Sequence, residues 1–376
     1  MKKVLMVSPF VNLKVNTGNK IHQTNIVRYL GDDIHLDWIV QGEYRKKNVK
    51  VIPVKRKGYG IFSGLSLLWN CFKQVNKHAK NCDVVHDRGD LFCIGTLSKL
   101  LKKHDKPVII QVDGDWVNAF VKSRKTSLLV KPLMKAWVKK MFQTADLLAP
   151  VSKTLARIIE KEYGIDRKKI VVNQNGADVE LFSKIKPKKF SEKPRLMFLG
   201  ALGAWYDVYT VLKSMKVLKD KGVQVECTLI LSGLEYWPGL YEELKRFIKE
   251  NDLGVEVKRE IPHEQVPAEL NRGDILLAPY FERAFGYSPL KIFEYMLMKK
   301  PIISNTLPEV QEILKDGETA LLVESEDAEA LAQAVQELVK NKELREKISK
   351  KAYTKAVREH SWERHSKNYE KLYKKL

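Results

Sequence analysis

Residues 285–296, FGYSPLKIFEYM, contain the clearest combination of side chains that could bind a charged substrate. Ser288 is a favourable helix N-cap and Pro289 is favourable at the first helical position, so a helix is predicted to begin there. The start of a helix carries about half a positive charge and free N–H groups, which attract anions. The apolar run at 276–279 predicts a strand just upstream, and open α/β sheets bind their ligands at such strand ends. The segment therefore predicts a phosphate site.

Lys291 and Glu294 lie three residues apart, which places them on one face of the predicted helix. The Lys291 ammonium could neutralise a diphosphate while the Glu294 carboxylate accepts hydrogen bonds from a ribose diol. One helix end would then bind two parts of a nucleotide. The alternative is an ordinarily capped helix on which the two side chains pair at the surface, and the segment alone favours that alternative.

Polar residues also follow strands predicted in the first half of the chain. Asp113 and Asp115 come after the apolar run 108–112, where a carboxylate could hydrogen-bond a sugar hydroxyl or orient an acceptor. Asx-turn chemistry also explains these residues. Arg88 follows the run at 84–86 and could contact an acceptor phosphate, with a structural salt bridge as the alternative.

A glycine-containing loop follows the first predicted strand. Gly18 and Asn19 lie in this loop, just before a predicted helix. Gly18 would allow the backbone to approach a donor phosphate or sugar closely. A plain tight turn is the alternative.

Short apolar runs alternate with helical patterns along the whole chain, which is typical of β-α-β units around parallel sheets. The pattern lapses in the charged, Pro-flanked residues 185–194, which predict a linker. We therefore predict an α/β fold with two Rossmann-like domains, at 1–187 and 188–355, and a C-terminal helix at 356–376. The predicted strands are at 4–7, 36–40, 50–54, 84–86, 108–112, 147–150, 195–199, 224–231, 255–258, 274–279, 302–304 and 320–323.

The net charge of +21 is concentrated in the first part of the chain. Residues 1–150 contain 27 Lys and Arg against 11 Asp and Glu, a net charge of +16. Within them, residues 120–142 contain seven Lys and Arg and no acidic residue, interleaved with aliphatic side chains and Trp137. This mixture suits an anionic membrane surface, where each basic residue contributes on the order of 1 kcal/mol. A solvated helix face over a buried stripe is an equally good explanation.

Cysteine usage and hydropathy exclude other classes. The four Cys residues form no C-x-x-C pair and have no closely spaced His, so reduced core thiols are expected rather than a zinc site. No window offers the roughly 18 to 20 apolar residues that span a bilayer, and the N-terminal apolar run lacks a signal-peptide cleavage site. We expect a cytoplasmic protein, with peripheral attachment to the cytosolic face of a membrane as a further expectation.

Additional motifs occur in a fixed order over nearly the whole chain. They lie at 145–146, 151–152, 163–164, 175–178 followed by Phe182, 298–304, 308–310, 316–323 and 361–363. Together with residues 285–296, they resemble the retaining family-four glycosyltransferases, which have the GT-B fold. The resemblance implies two Rossmann-like domains facing each other across a cleft, with the final helix packed back on the first domain. It also implies a nucleotide-sugar donor bound mainly by the second domain, an acceptor bound mainly by the first, and no metal ion or other cofactor.

The resemblance assigns roles to individual residues. Glu294 would hold the ribose hydroxyls, the amides around Ser288, Pro289 and Leu290 would face the diphosphate or ribose, and the backbone near Ile261 would contact the base. Adding the candidates above, the predicted donor-binding residues are Gly18, Asn19, Gly200, Ile261, Gly286, Tyr287, Ser288, Pro289, Leu290, Lys291 and Glu294. The predicted acceptor-binding residues are Arg88, Asp113 and Asp115, and catalytic roles are assigned to Asp113 and Lys291.

Three positions depart from the pattern of the family. Gly286 stands where many members have a Glu that contacts the sugar. The loop beginning at Gly200 lacks the usual Arg and Lys, which places more of the diphosphate charge on Lys291. Asp113 stands where many members have a His.

We therefore expect a retaining, metal-independent glycosyltransferase of the hexosyltransferase type. The expected acceptor is a hydroxyl, with a membrane-associated or lipid-linked glycan favoured by the basic first domain. A sugar-nucleotide epimerase or hydrolase of the same fold is the alternative. The positive charge would also suit nucleic acid, but no helix-turn-helix, zinc or RNA-binding signature is present, so no nucleic-acid partner is expected.

Overall fold

The computed structural model describes residues 1–15, 17–118, 130–203, 205–281 and 288–376. These residues form two compact units. The first consists mainly of Met1–Asn175 and Trp362–Leu376, and the second mainly of residues 176–281 and Pro289–Ser361. The division after Asn175 comes earlier in the chain than the predicted boundary at 187/188. The reason is that the backbone N–H of Ala177 bonds to the carbonyl of His360, within the second unit.

The first unit contains a six-stranded sheet in which every neighbouring pair is parallel. Its strand order is β3-β2-β1-β4-β5-β6, the doubly wound arrangement. The strands are β1 (Lys2–Asn12), β2 (Ile34–Gln41), β3 (Val49–Pro53), β4 (Val84–Arg88), β5 (Val108–Val112) and β6 (Leu147–Pro150). All residues of β4 and β5, each of which has a strand on either side, are buried, as expected for inner strands covered on both faces. The residues of the edge strand β6 are buried as well.

Helices cover both faces of this sheet. They are α1 (Gly18–Arg28), α2 (Gly60–His78), α3 (Ile94–Leu100), α4 (Lys131–Thr144) and α5 (Lys153–Tyr163). Residues of α2, α3, α4 and α5 pack in the apolar core on one face, and residues of α1 pack in the core on the other. As predicted, Ser152 caps α5, because its hydroxyl accepts a hydrogen bond from the Leu155 N–H at 3.0 Å.

The second unit repeats this architecture. Its six strands are again all parallel, in the order β12-β11-β10-β7-β8-β9. They are β7 (Arg195–Ala201), β8 (Glu226–Ser232), β9 (Val255–Arg259), β10 (Ile275–Ala278), β11 (Ile302–Asn305) and β12 (Leu321–Val323). The predicted α/β fold with two parallel sheets is confirmed.

The remaining helices belong to the second unit, except for the last one. They are α6 (Val179–Ser183), α7 (Val208–Asp220), α8 (Pro238–Glu250), α9 (Val266–Leu270), α10 (Leu290–Leu297), α11 (Pro308–Gln311), α12 (Ala328–Lys340), α13 (Lys342–Glu359) and α14 (Trp362–Lys375). Short 3-10 turns occur at Ala79–Asn81, Arg167–Lys169, Leu234–Tyr236 and His263–Gln265.

The final helix α14 lies in the first unit. Its Tyr369 and Tyr373 are fully buried in the core shared with α1 and β1. The Tyr373 hydroxyl lies 2.5 Å from Nδ1 of His86 in β4, so a polar contact accompanies this burial. Among the residues that the structure describes, no helix has the length and apolar character needed to cross a membrane.

Candidate functional site

Helix α10 begins shortly after strand β10, where the sequence predicted a phosphate site. The structure starts this helix at Leu290, with Pro289 as its N-cap and without a side-chain cap. This differs from the prediction that Ser288 caps the helix and Pro289 is its first residue. The reason is the Pro289 backbone, whose ψ of 87° is outside the helical range. Gly286 and Tyr287 lie outside the described residues.

Lys291 is buried in the first turn of α10, with a relative exposure of 5%. Its Nζ has no hydrogen-bond partner within the part of the chain that the structure describes. Instead it lies 3.4 Å from the ring centroid of Tyr206, 4.3 Å from that of Phe198 and 5.9 Å from that of Tyr280. Burial holds the pKa of Lys291 well below its ordinary value, although the charge of Glu294 opposes this shift.

Gly200, near the end of β7, provides the space for this ammonium. A Cβ at Gly200 would lie 2.5 Å from Lys291 Nζ, closer than nonbonded atoms approach, and 2.9 Å from Cζ of Phe198. Any side chain at this position would displace Lys291 from its aromatic surroundings. The structure therefore brings together two residues predicted for the donor site, Gly200 and Lys291.

Glu294, one turn further along α10, pairs with a residue that the sequence analysis missed. Its Oε1 lies 2.8 Å from Nε2 of His263, which is in the 3-10 turn after β9. Both side chains are mostly buried, with relative exposures of 13% and 15%. The alternative of a surface pair between Glu294 and Lys291 is therefore wrong, since Lys291 is buried and Glu294 contacts His263. The predicted residue Ile261 lies two positions before His263 and is half-buried.

The His263 imidazole has its own electrostatic surroundings. Burial alone would lower its pKa, but the hydrogen bond and the charge of Glu294 outweigh burial, helped by the charges of Glu264 and Asp178. The net result is a pKa raised above the ordinary value of 6.5. The ring of Phe182 lies 6.2 Å from the imidazole. His263 thus fixes one oxygen of the Glu294 carboxylate.

In the first unit, three predicted residues meet at the carboxyl ends of β4 and β5. Arg88 lies 2.8 Å from Oδ2 of Asp113 and donates a hydrogen bond of 2.9 Å to Oδ1 of Asn19. Gln111 donates to the other carboxylate oxygen of Asp113 at 2.7 Å. Gly18 is the first residue of α1, which Thr17 caps. The arrangement is an ion pair in which the Asp113 side chain keeps 19% exposure.

Histidines that the sequence analysis did not single out surround this ion pair. His22 in α1 has its Nδ1 3.8 Å from Oδ1 of Asp113 and its Nε2 3.4 Å from Nε2 of His365 in α14. Burial, followed by the charges of Arg88 and His86, holds the pKa of His22 well below 6.5. The imidazole beside Asp113 is therefore neutral near pH 7. No local sequence signal links residues so far apart.

Asp115 is placed differently from Asp113. It is buried, and it accepts hydrogen bonds from the backbone N–H of Asn118 at 3.1 Å and from the Asn118 side chain at 2.5 Å. This is the local turn chemistry that the sequence offered as the alternative explanation. Within the described ranges, no three His, Cys, Asp or Glu side chains are grouped as metal ligands would be.

Two doubly wound parallel α/β units, the second with a buried lysine and a paired carboxylate near the start of α10, place the chain among two-unit α/β proteins. Comparison with known families narrows this class. Residues 19–181 match the model of Glycosyltransferase Family 4, and residues 180–355 match that of Glycosyl transferases group 1. The chain therefore belongs to the glycosyltransferases described by these two models, family 4 and group 1.

Individual relatives agree with the assignment. An uncharacterized glycosyltransferase of Methanocaldococcus jannaschii is 24% identical, covering 100% of this chain and 98% of the relative. A capsular polysaccharide biosynthesis glycosyltransferase of Staphylococcus aureus is also 24% identical, covering 87% of this chain and 85% of the relative. Among solved structures, Anabaena HepE in complex with UDP-glucose has a TM-score of 0.78 at 15% identity, and all of both chains is covered. At 15% identity, the similarity to HepE shows a shared fold only.

Proposed function

We propose that this protein is a retaining glycosyltransferase that moves a sugar from a nucleoside-diphosphate sugar to a hydroxyl of an acceptor. The observation that carries the proposal is the buried Lys291 ammonium beside Gly200, at the start of α10. A buried charge without a hydrogen-bonding anion is costly, and a diphosphate is an anion that would compensate it. The solved complex of Anabaena HepE with UDP-glucose supports a nucleotide-sugar donor.

The donor site in this proposal consists of α10 and the strand ends next to it. Leu290 and Lys291 offer N–H groups of the first helical turn, and the Lys291 ammonium adds a full positive charge. Glu294 accepts hydrogen bonds from the ribose hydroxyls through the oxygen that His263 leaves free. Ile261 lies two residues from His263, which supports its assignment to the contact with the base.

Asp113 is the proposed catalytic residue on the acceptor side. A carboxylate held by Arg88 and Gln111 can orient an acceptor hydroxyl without losing its own position. The neutral imidazole of His22 is close enough to assist that orientation. Asn19, bonded to Arg88, connects this cluster to the loop proposed for the donor phosphate or sugar.

We further propose that transfer retains the anomeric configuration and requires no metal ion, as the resemblance to the family implies. Lys291 and the amides of α10 would supply the positive charge that a metal otherwise gives to the leaving diphosphate. The expected test is that excess EDTA leaves the rate of transfer unchanged. A rate that falls with EDTA and recovers with added Mg²⁺ or Mn²⁺ contradicts this part of the proposal.

The proposed acceptor is a membrane-associated or lipid-linked glycan, reached by a cytoplasmic protein that binds the cytosolic face of a membrane. The charge of +16 in residues 1–150 supports this acceptor, since bilayer surfaces and lipid phosphates are anionic. The relative that acts in capsular polysaccharide biosynthesis also supports a glycan.

A thermal-shift screen against UDP, GDP and ADP sugars tests the proposed function. A donor that binds only the folded chain raises the melting temperature, by RT ln(1 + [L]/Kd) in free energy. The donor found in this way is then incubated with and without glycan acceptors, and the products are identified by NMR. Transfer with retention supports the proposal, whereas an altered sugar nucleotide or free sugar as the main product identifies the alternative epimerase or hydrolase.

A further inference from the structure

The outward face of α2 is apolar over its first half, which is unusual for a helix on the surface of a parallel sheet. Its buried stripe is Leu67, Cys71 and Val75. On the opposite side, Phe62 is 77% exposed, Leu65 56% and Trp69 58%. A surface helix normally presents polar residues to water on this side. Here three large apolar side chains occupy it together and form an exposed apolar patch.

The segment that precedes α2 extends this face. Tyr59 is 93% exposed and follows the exposed residues Lys55, Arg56 and Lys57. The same outward stripe of the helix continues with exposed Lys73 and Lys77, and the Lys73 ammonium lies 5.2 Å from the ring centroid of Trp69. We call Tyr59, Phe62, Leu65 and Trp69 the apolar face of α2.

The charge around this face identifies its partner. Residues 44–82 contain ten Lys and Arg and no Asp or Glu. A second copy of this chain would bring two such positive surfaces together, which is repulsive. An anionic lipid surface offers phosphates to the basic residues and a headgroup boundary to Trp, Tyr, Phe and Leu.

The topology places this face near the Arg88–Asp113 pair within the first unit. In a parallel sheet, a helix that follows a strand begins at the carboxyl edge of the sheet. Phe62 and Leu65 lie in the first turns of α2, after β3, and Arg88 and Asp113 lie at the carboxyl ends of β4 and β5. Helix α4 begins at the same edge, with Leu133 74% exposed.

We infer that the apolar face of α2 inserts into the headgroup region of anionic membranes and holds the Asp113 edge of the first unit next to the bilayer. This inference deepens the membrane part of the proposed function and rests on it. It also moves the contact away from the predicted segment 120–142, of which only residues 130–142 are described. The basic residues Lys55, Arg56 and Lys57 attract the surface, and the four apolar side chains provide the insertion.

Vesicle sedimentation with phosphatidylglycerol–phosphatidylcholine mixtures tests the inference on the full chain. The variant Phe62→Ser/Leu65→Ser/Trp69→Ser is expected to lose about tenfold or more in partition coefficient, because three apolar side chains no longer leave water. The variant Lys55→Gln/Arg56→Gln/Lys57→Gln is expected to lose on the order of 100-fold at low salt, and to show a weaker dependence on salt.

A matched control replaces exposed apolar residues of the second unit, Tyr236→Ser/Val357→Ser, and should bind vesicles as the wild type does. Circular dichroism and the thermal shift with a nucleotide sugar should be unchanged in all variants. The inference is overturned if the apolar variant binds like the wild type, or if the wild type ignores anionic vesicles at low salt. It is equally overturned if the only effect of Phe62→Ser/Leu65→Ser/Trp69→Ser is that a dimer becomes a monomer. Should vesicle binding fail while nucleotide sugars still raise the melting temperature, the donor site stands and only the membrane contact falls.

Discussion

Replacing Lys291 by Met should raise the stability of the protein and lower its affinity for the donor. In the free chain, the buried ammonium has aromatic partners only, among the described residues. An unsatisfied buried donor costs about 1–3 kcal/mol, and more when it is charged. Cation–π attraction to the aromatic rings offsets about 1–2 kcal/mol of this cost. Methionine keeps the apolar contacts, so we expect the free energy of unfolding to rise by about 1 kcal/mol, which is about 2–4 °C in melting temperature.

The pH dependence of this gain follows from the depressed pKa. Lys291 in the folded chain has a pKa below its ordinary value near 10.5, so in the interval between the two values the unfolded chain binds more protons. The stability of the wild type therefore rises with pH across that interval. The extra stability of Lys291→Met over the wild type is therefore greatest at the low-pH end of this interval and disappears near pH 10.5.

Donor affinity should change in the opposite direction. A charge-assisted hydrogen bond to phosphate contributes about 1.5–3 kcal/mol, which corresponds to roughly 10- to 150-fold in Kd. Calorimetric titration with the nucleoside diphosphate selected in the thermal-shift screen measures this loss. Lys300→Met is the matched control, because Lys300 is also a buried lysine whose pKa is lowered by burial. A Lys291→Met protein that is less stable and binds the nucleotide as tightly as the wild type would refute the reasoning.

Three further variants test the surroundings of the two sites. Protonated His263 pairs with Glu294, so the wild type should lose stability as the pH rises through the raised pKa of His263. His263→Gln should abolish this pH-dependent loss, and melting curves between pH 5 and 9 measure it. Asp113→Asn should lower the rate of transfer by about 10²–10⁴ with little change in nucleotide affinity, and steady-state kinetics with both substrates separate the two effects. Gly200→Ala should weaken nucleotide binding by about tenfold, because its Cβ would displace the ammonium of Lys291; equal affinity in calorimetry would contradict this.

Most of the strands could be predicted from the sequence because they are short apolar runs bounded by polar or turn residues. Burial on both faces of a parallel sheet requires such runs, and the requirement is local. Helix α10 starts one residue later than predicted, because the sequence rules for caps do not contain the backbone angle that Pro289 adopts. Residues 282–287, with the predicted site residues Gly286 and Tyr287, lie outside the described part of the chain.

The environments of the site residues could not be predicted in the same way. Lys291 has a residue type that is normally exposed, and its burial depends on rings contributed by β7 and by two loops. Glu294 and His263 are 31 positions apart, and His22 and His365 are 343 apart. These pairs depend on how strands and helices are arranged in space, which spacing along one helix does not reveal.

A structure of the protein with its nucleotide sugar would show whether Lys291 and Glu294 bind the donor. We expect a diphosphate oxygen within about 3.2 Å of Lys291 Nζ, the range of a hydrogen bond, and ribose hydroxyls that donate hydrogen bonds to Glu294. A bound nucleotide sugar whose diphosphate is held elsewhere, with Lys291 still surrounded only by aromatic rings, would contradict it.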